Sequence, residues 1–228
     1  MKNRRRLFAA IVIATLVFAV LNIDVSIKQG VNGKYRQIHM PFYVKWTQFL
    51  SRHYEYDRLS KEITKGCKTD EEKALAILKW TRENIKDVPI GMPLKDDHVL
   101  NVIIRGCGVP EQFQDVFTTL CAYSGIPAFF EKVYTKGNKA RYALSFVKIN
   151  GKWRVFDAYS GKYFRTVRGD IASAEDILSS KSLTEKFPYD FKPVIGARTL
   201  RPYKQMPLKR IVFEARKTLG LEKEEVDR

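Results

Sequence analysis

Lys2, Arg4, Arg5 and Arg6 are followed by seventeen residues, Leu7 to Ile23, without a single charge. As a helix such a run is about 25 Å long, against a bilayer hydrocarbon core of about 30 Å. Its apolar side chains fall on every face, so it has no stripe to bury and no face to leave in water. A basic flank ahead of an apolar run fits either a cleaved signal or an uncleaved membrane anchor. Phe18-Ala19-Val20-Leu21-Asn22 makes a poor small-x-small cleavage site, which favours a single-pass anchor. The positive flank then stays in the cytosol, and everything from Asp24 onward lies on the outer side of the cell (inner) membrane.

The remaining length suits one domain with a real core, and a hydrophobic content of 45% excludes a disordered chain. Three cysteines are too few for a disulfide scaffold, and no CxxC or Cys/His cluster has metal-ligand spacing. No metal or cofactor is expected. The net charge of +16 calls for an anionic partner without saying which.

Val25 to Met40 is polar and mixed, a stalk or packing arm, and Phe42 to Ile63 has helical apolar spacing. Thr69 with Glu72 is a capping box, and Ala74, Leu78, Thr81 and Ile85 share one stripe, which predicts a helix. Pro89, Gly91 and Pro93 mark a loop, as do Gly106 to Pro110. Phe113, Phe117, Leu120 and Ser124 then recur at helical spacing and stop at Gly125. From there the period changes. Ala128–Tyr134 and Tyr142–Ile149 are rich in Phe, Tyr and Val, as strands are, and Asn150-Gly151 is the preferred hairpin turn before a returning strand at Trp153–Phe156. Ser173 with Asp176 caps a short helix, and Pro207 and Gly220 bracket a final amphipathic one. The expected organisation is an anchor over 1–23, a helical arm over 24–66, an α+β domain over 67–188 and a basic tail over 189–228.

Gly125-Ile126-Pro127-Ala128 closing a helix, followed by strands and Asn150-Gly151-Lys152-Trp153-Arg154-Val155-Phe156-Asp157, resembles the transglutaminase-like superfamily, whose fold is shared with papain-type proteases. The resemblance covers roughly Thr69 to Tyr163 and is to a bacterial, membrane-anchored branch. It implies a helix packed on an antiparallel meander. It also implies a nucleophilic Cys at the helix N-terminus, a His on the following strand, and an Asp after the hairpin. The helix dipole lowers a thiol pKa, the His takes the proton, and the carboxylate holds the His in one tautomer. Counted back from Gly125, the Cys position is Pro110, in Gly108-Val109-Pro110-Glu111-Gln112 where the branch reads Gly-x-Cys-Asp-Gln. Counted back from Trp153, the His position is Tyr142, and only Asp157 matches the triad. The resemblance therefore implies a kept scaffold and a degenerate catalytic site, with a Tyr142–Asp157 hydrogen bond as a relic of the dyad.

One alternative keeps the chemistry. Cys107 lies three residues before Pro110 and His98 is near in sequence, so a rearranged site would make the chain a cysteine-dependent protease, amidase or acyl transferase. Three residues of loop displace a sulfur by up to about 10 Å, which favours a structural thiol. Cys121 sits inside the core helix as an inert thiol, and a Cys67–Cys107 disulfide is left open.

Binding remains. Glu131 to Asp170 holds Lys132, Lys136, Lys139, Arg141, Lys148, Lys152, Arg154, Lys162, Arg165 and Arg168 against three acidic residues, a net of +7. A basic meander is either a solvated sheet that resists aggregation or a surface for an anionic envelope ligand or acidic protein. An outer location disfavours nucleic acid. The expected function is a membrane-anchored, catalytically inactive binding or scaffold module.

Overall fold

Apolar residues on all sides leave helix α1 (Lys2–Leu21) with nothing buried: Leu7, Phe8, Ile13, Leu16 and Phe18 are each more than half exposed. The computed structural model describes residues 2–31, 34–93, 98–135, 138–180 and 189–190, which fall into two units divided after Tyr54. Among the described residues no helix is long and apolar enough to cross a membrane. The shortfall against the expected single-pass helix has a physical origin. Arg4 to Arg6 lie within α1 and the helix stops at Leu21. Its apolar part is therefore Leu7 to Leu21, about 22 Å.

The rest of the first unit differs from the expected helical arm. Strands β1 (Asp24–Val31) and β2 (Lys34–Pro41) pair antiparallel, in register from Asp24↔Pro41 to Val31↔Lys34. Val25↔Met40 and Ile27↔Ile38 are cross-strand pairs on one face, the period-two pattern of a strand. Helix α2 (Phe42–Ile63) follows, as its spacing predicts.

The second unit begins at Glu55 and carries the central fold. Its elements are the end of α2, α3 (Asp70–Asn84), β3 (Lys86–Asp87), α4 (Val99–Arg105), β4 (Cys107–Gly108), α5 (Pro110–Tyr123), β5 (Ala128–Thr135), β6 (Asn138–Ile149), β7 (Lys152–Asp157), β8 (Lys162–Tyr163), α6 (Ala174–Ser179) and β9 (Tyr189–Asp190). The predicted capping box starts α3: the Glu72 amide donates to the Thr69 hydroxyl at 3.1 Å, and the Glu72 carboxylate accepts the Thr69 amide at 3.2 Å. Ala74, Leu78, Thr81 and Ile85 are buried together, as their stripe requires. At the hairpin, Asn150 and Gly151 take φ of 52° and 77°, the left-handed pair that a two-residue primed turn needs.

The sheet is antiparallel in the order β8-β7-β6-β5-β9. Strand alternation splits its side chains between two cores. Ala128, Val147, Ile149 and Phe156 pack with Phe113, Phe117 and Leu120 of α5 and with Ile77 and Leu78 of α3. On the other face Val133, Leu144, Phe146 and Val155 pack with Ala172, Ala174 and Ile177, the last two from α6. The second unit is an α+β fold with α5 on one sheet face. The predicted helix over 207–220 lies outside the described residues.

Candidate functional site

The site is organised by the start of α5. Gly106 closes α4 in the left-handed conformation, φ 65°, and β4 then pairs in parallel with β3, Lys86↔Cys107 and Asp87↔Gly108. A Cβ at Gly108 would stand 3.1 Å from Gln112 Cβ and 3.2 Å from Val102 Cγ1, so a side chain there would have to push its neighbours by a few tenths of an ångström. Val109 is the N-cap and Pro110 the first helical residue, where a missing amide proton has no consequence. Gln112 Oε1 accepts the Val109 amide at 3.1 Å, and Arg105 Nε donates to the Cys107 carbonyl at 2.9 Å. Pro110 thus occupies the α5 N-terminus, where the resemblance places a nucleophilic thiol, and a proline supplies none.

Asp157, at the end of β7, is fully engaged. It accepts from Gln114 Nε2 at 3.1 Å, from the Tyr159 amide at 3.1 Å, from the Ser160 amide at 3.2 Å and from the Ser160 hydroxyl at 2.5 Å. Gln114 also accepts the Ser145 hydroxyl at 2.6 Å and the Ala158 amide at 3.1 Å. Gln114, Ser145 and Ala158 have no exposed surface. Tyr142 is not among the donors to Asp157, which corrects the expected relic bond. The reason is register: Tyr142 pairs with Val133, shares the parity of Leu144 and Phe146, and so lies on the face turned away from α5. Ser145, of the opposite parity, reaches Gln114 instead.

Cys107 and His98 stand at opposite ends of α4, with roughly 10 Å of helix between them. Cys107 is buried, and all three cysteines are free thiols. Burial alone pushes the Cys121 thiol well above its usual pKa. Among the described residues no His, Cys, Asp and Glu cluster could hold a metal ion.

A second polar group borders α5. Tyr159 meets Phe113 edge to face at 5.2 Å, and its hydroxyl donates to Asp87. That hydrogen bond, then the charge of Asp87, raises the Tyr159 pKa above the ordinary phenol value.

The basic meander is less uniform than its composition suggests. Arg154 is no surface residue: it is 5% exposed and donates to the Ile171 carbonyl and to Asp176. Lys132 pairs with Glu111 at 2.9 Å, Lys152 with Asp176 at 3.5 Å, and Arg165 with Glu71 at 3.0 Å. Lys148, Lys162 and Arg168 are exposed, with the Lys148 ammonium 5.9 Å from the Trp153 ring. Lys136 lies outside the described residues, as do the side chains of Lys139 and Arg141.

Sequence reasoning did not find Gln114, Ser145 or Ser160. The available signal was a glutamine set between Phe113 and Phe117 on a stripe otherwise built to be buried.

Residues 57–158 match the model of the Transglutaminase-like superfamily, and the chain carries a domain of that superfamily. No curated protein matches the chain. Among solved structures, a candidate cysteine protease from Cytophaga hutchinsonii is 20% identical over 54% of this chain and 44% of its own, with a TM-score of 0.42. A candidate protease from Parabacteroides distasonis is 14% identical over 58% of this chain and 35% of its own, at 0.39. A TGase is 14% identical over 70% of this chain and 49% of its own, at 0.34. The matched part is less than half the length of each of these proteins.

Proposed function

We propose that the chain is a membrane-anchored transglutaminase-like domain without catalytic activity, serving as a binding or scaffold module at the cell envelope. The observation that carries this reading is the pairing of Pro110 at the α5 N-terminus with an Asp157 whose acceptors are taken by Gln114, Tyr159 and Ser160. Acyl transfer through a cysteine needs a thiolate, a base and a group that orients the base. Here the carboxylate is committed to the fold, and β6 contains no histidine at any position. Anchoring through α1 is supported by its exposed apolar surface and its arginine flank. A 22 Å apolar segment is accommodated by local thinning of the bilayer and by arginine side chains reaching the headgroups. Among the described residues, Lys148, Lys162 and Arg168 are the meander cations left to meet an acidic partner.

The test uses the full chain in detergent micelles with amine-acceptor and peptide substrates. Turnover no higher than that of Cys107→Ala is expected. Turnover that Cys107→Ala abolishes would overturn the inactive reading. Extraction of membranes at alkaline pH checks the anchor: release of the intact chain into the soluble fraction would sink it.

A further inference from the structure

Arg82 lies in the last turn of α3 and is exposed, with its charged end over two aromatic rings. Its guanidinium carbon is 5.7 Å from the Phe113 ring centre and 5.9 Å from that of Tyr159. Its stem crosses Gly161, where a Cβ would stand 3.2 Å from Arg82 Cγ and where φ is 69°. The left-handed backbone favours glycine at that position, and a Cβ there would push the arginine stem aside by a few tenths of an ångström. No carboxylate among the described residues pairs with Arg82. A guanidinium carries five N–H donors in a planar fork that fits a carboxylate in two parallel bonds. A stacked arginine loses little further freedom on binding, so its affinity for such a group is enhanced.

The surroundings narrow the ligand. Asp87 is bound by the hydroxyl of the same Tyr159, and its strand neighbour Gly108 leads into the α5 N-terminus. A single guanidinium offers one fork of parallel donors, which matches one planar carboxylate. Ile90, three residues beyond Asp87, is fully exposed and Met92 is 43% exposed, which offers apolar contact to a peptide. We propose that Arg82, presented on Phe113 and Tyr159, binds the carboxylate of a peptide partner beside the vestigial catalytic position. This rests on the reading of the domain as a binding module and names the chemistry that it recognises.

The experiment titrates the full chain, in micelles and labelled with nitrogen-15, with N-acetylalanylalanine and separately with its C-terminal amide. The readout is the Arg82 Nε–Hε resonance. Saturable shifts with the free acid and none with the amide are expected. Arg82→Lys keeps the charge but loses the fork, and Gly161→Ala displaces the stem. Each should weaken binding by about tenfold. Equal shifts from acid and amide, or unchanged acid binding by Arg82→Lys, would overturn the assignment. So would a wild-type chain that binds neither, although the inactive-module reading would survive that result. Consumption of the peptide by acyl transfer would instead overturn inactivity and leave the Arg82 contact standing.

Discussion

Gln114→Leu is the perturbation that best tests whether a polar network has replaced the catalytic dyad. Leucine is close to glutamine in volume, so the change removes hydrogen bonds without opening a large cavity. The Ser145 hydroxyl and the Ala158 amide, both with no exposed surface, lose their acceptor, and Asp157 loses one donor. Each buried polar group left unpaired costs about 1–3 kcal/mol, so the pair costs roughly 4 kcal/mol. That is a large part of the roughly 5–15 kcal/mol that holds a domain folded, and it should lower the unfolding midpoint by roughly 10 °C. Gln114→Glu supplies an internal control. It keeps an acceptor for Ser145 and Ala158 but turns a second carboxylate toward Asp157. The neighbouring charge raises the folded-state pKa of the new glutamate above its unfolded value of about 4.3. Stability is then near that of wild type below pH about 4.3 and is lost as pH rises through the folded-state value. Urea unfolding followed by circular dichroism at pH 4 and pH 7 measures both variants. A cost below about 1 kcal/mol for Gln114→Leu, or equal stability of Gln114→Glu at the two pH values, would refute the network as the element that holds this end of β7.

Three further outcomes are expected. Burial acts to raise the Asp176 carboxyl, but the Ser173 amide and hydroxyl, with Lys152 and Arg154, outweigh it and the pKa is lowered. Its contribution is present above the unfolded value of about 3.9 and is lost as pH falls through the folded one. Asp176→Asn should therefore destabilise at pH 6 and converge on wild type only as pH falls through the folded value, below about 3.9, as read by thermal melts across that range. Asp87→Asn should lower the Tyr159 phenol transition, followed by NMR of ring-labelled tyrosine against pH, because Asp87 is the main cause of the raised Tyr159 pKa; an unchanged Tyr159 titration would contradict the contact. A maleimide should modify Cys67 in the native chain well before Cys107 or Cys121, which are buried, and mass spectrometry of the labelled peptides reads the order.

Much of the second unit was legible because its signals are local. Thr69 with Glu72, Ser173 with Asp176, Asn150-Gly151 and Gly125 each specify their own backbone within four residues. The α5 and α3 stripes were equally readable, since a 3.6-residue period is visible in the sequence itself. The pair of β1 and β2 carried signals of the same kind, Val25 and Ile27 against Ile38 and Met40 with Asn32-Gly33 between them in sequence, and its polar composition masked them. What a single chain pass cannot supply is pairing at a distance. The bond from Gln114 to Asp157 joins residues forty-three positions apart, and the contact of Arg82 with Tyr159 depends on where the end of β7 meets α3. Arg154 shows the same limit from the other side: composition counted it as surface charge, whereas its Asp176 partner lies twenty-two residues away.

Counting along the chain assigned the histidine position to Tyr142, and alternation in β6 turns that residue away from α5. Near Tyr142 in β6, Ala143 and Ser145 share the parity of Val147, and Ser145 does reach α5 through Gln114. A one-residue slip between sequence count and sheet face therefore changes which residue inherits the position. It does not change the chemistry. Tyr142, Ala143 and Ser145 all lack an imidazole, and the chain has only His39, His53 and His98. The first two precede the second unit, and His98 stands at the far end of α4 from Cys107. No choice of register along β6 therefore supplies the base that acyl transfer through a cysteine needs. Gln114, Ser145 and Ser160 satisfy Asp157 and its surroundings without an imidazole.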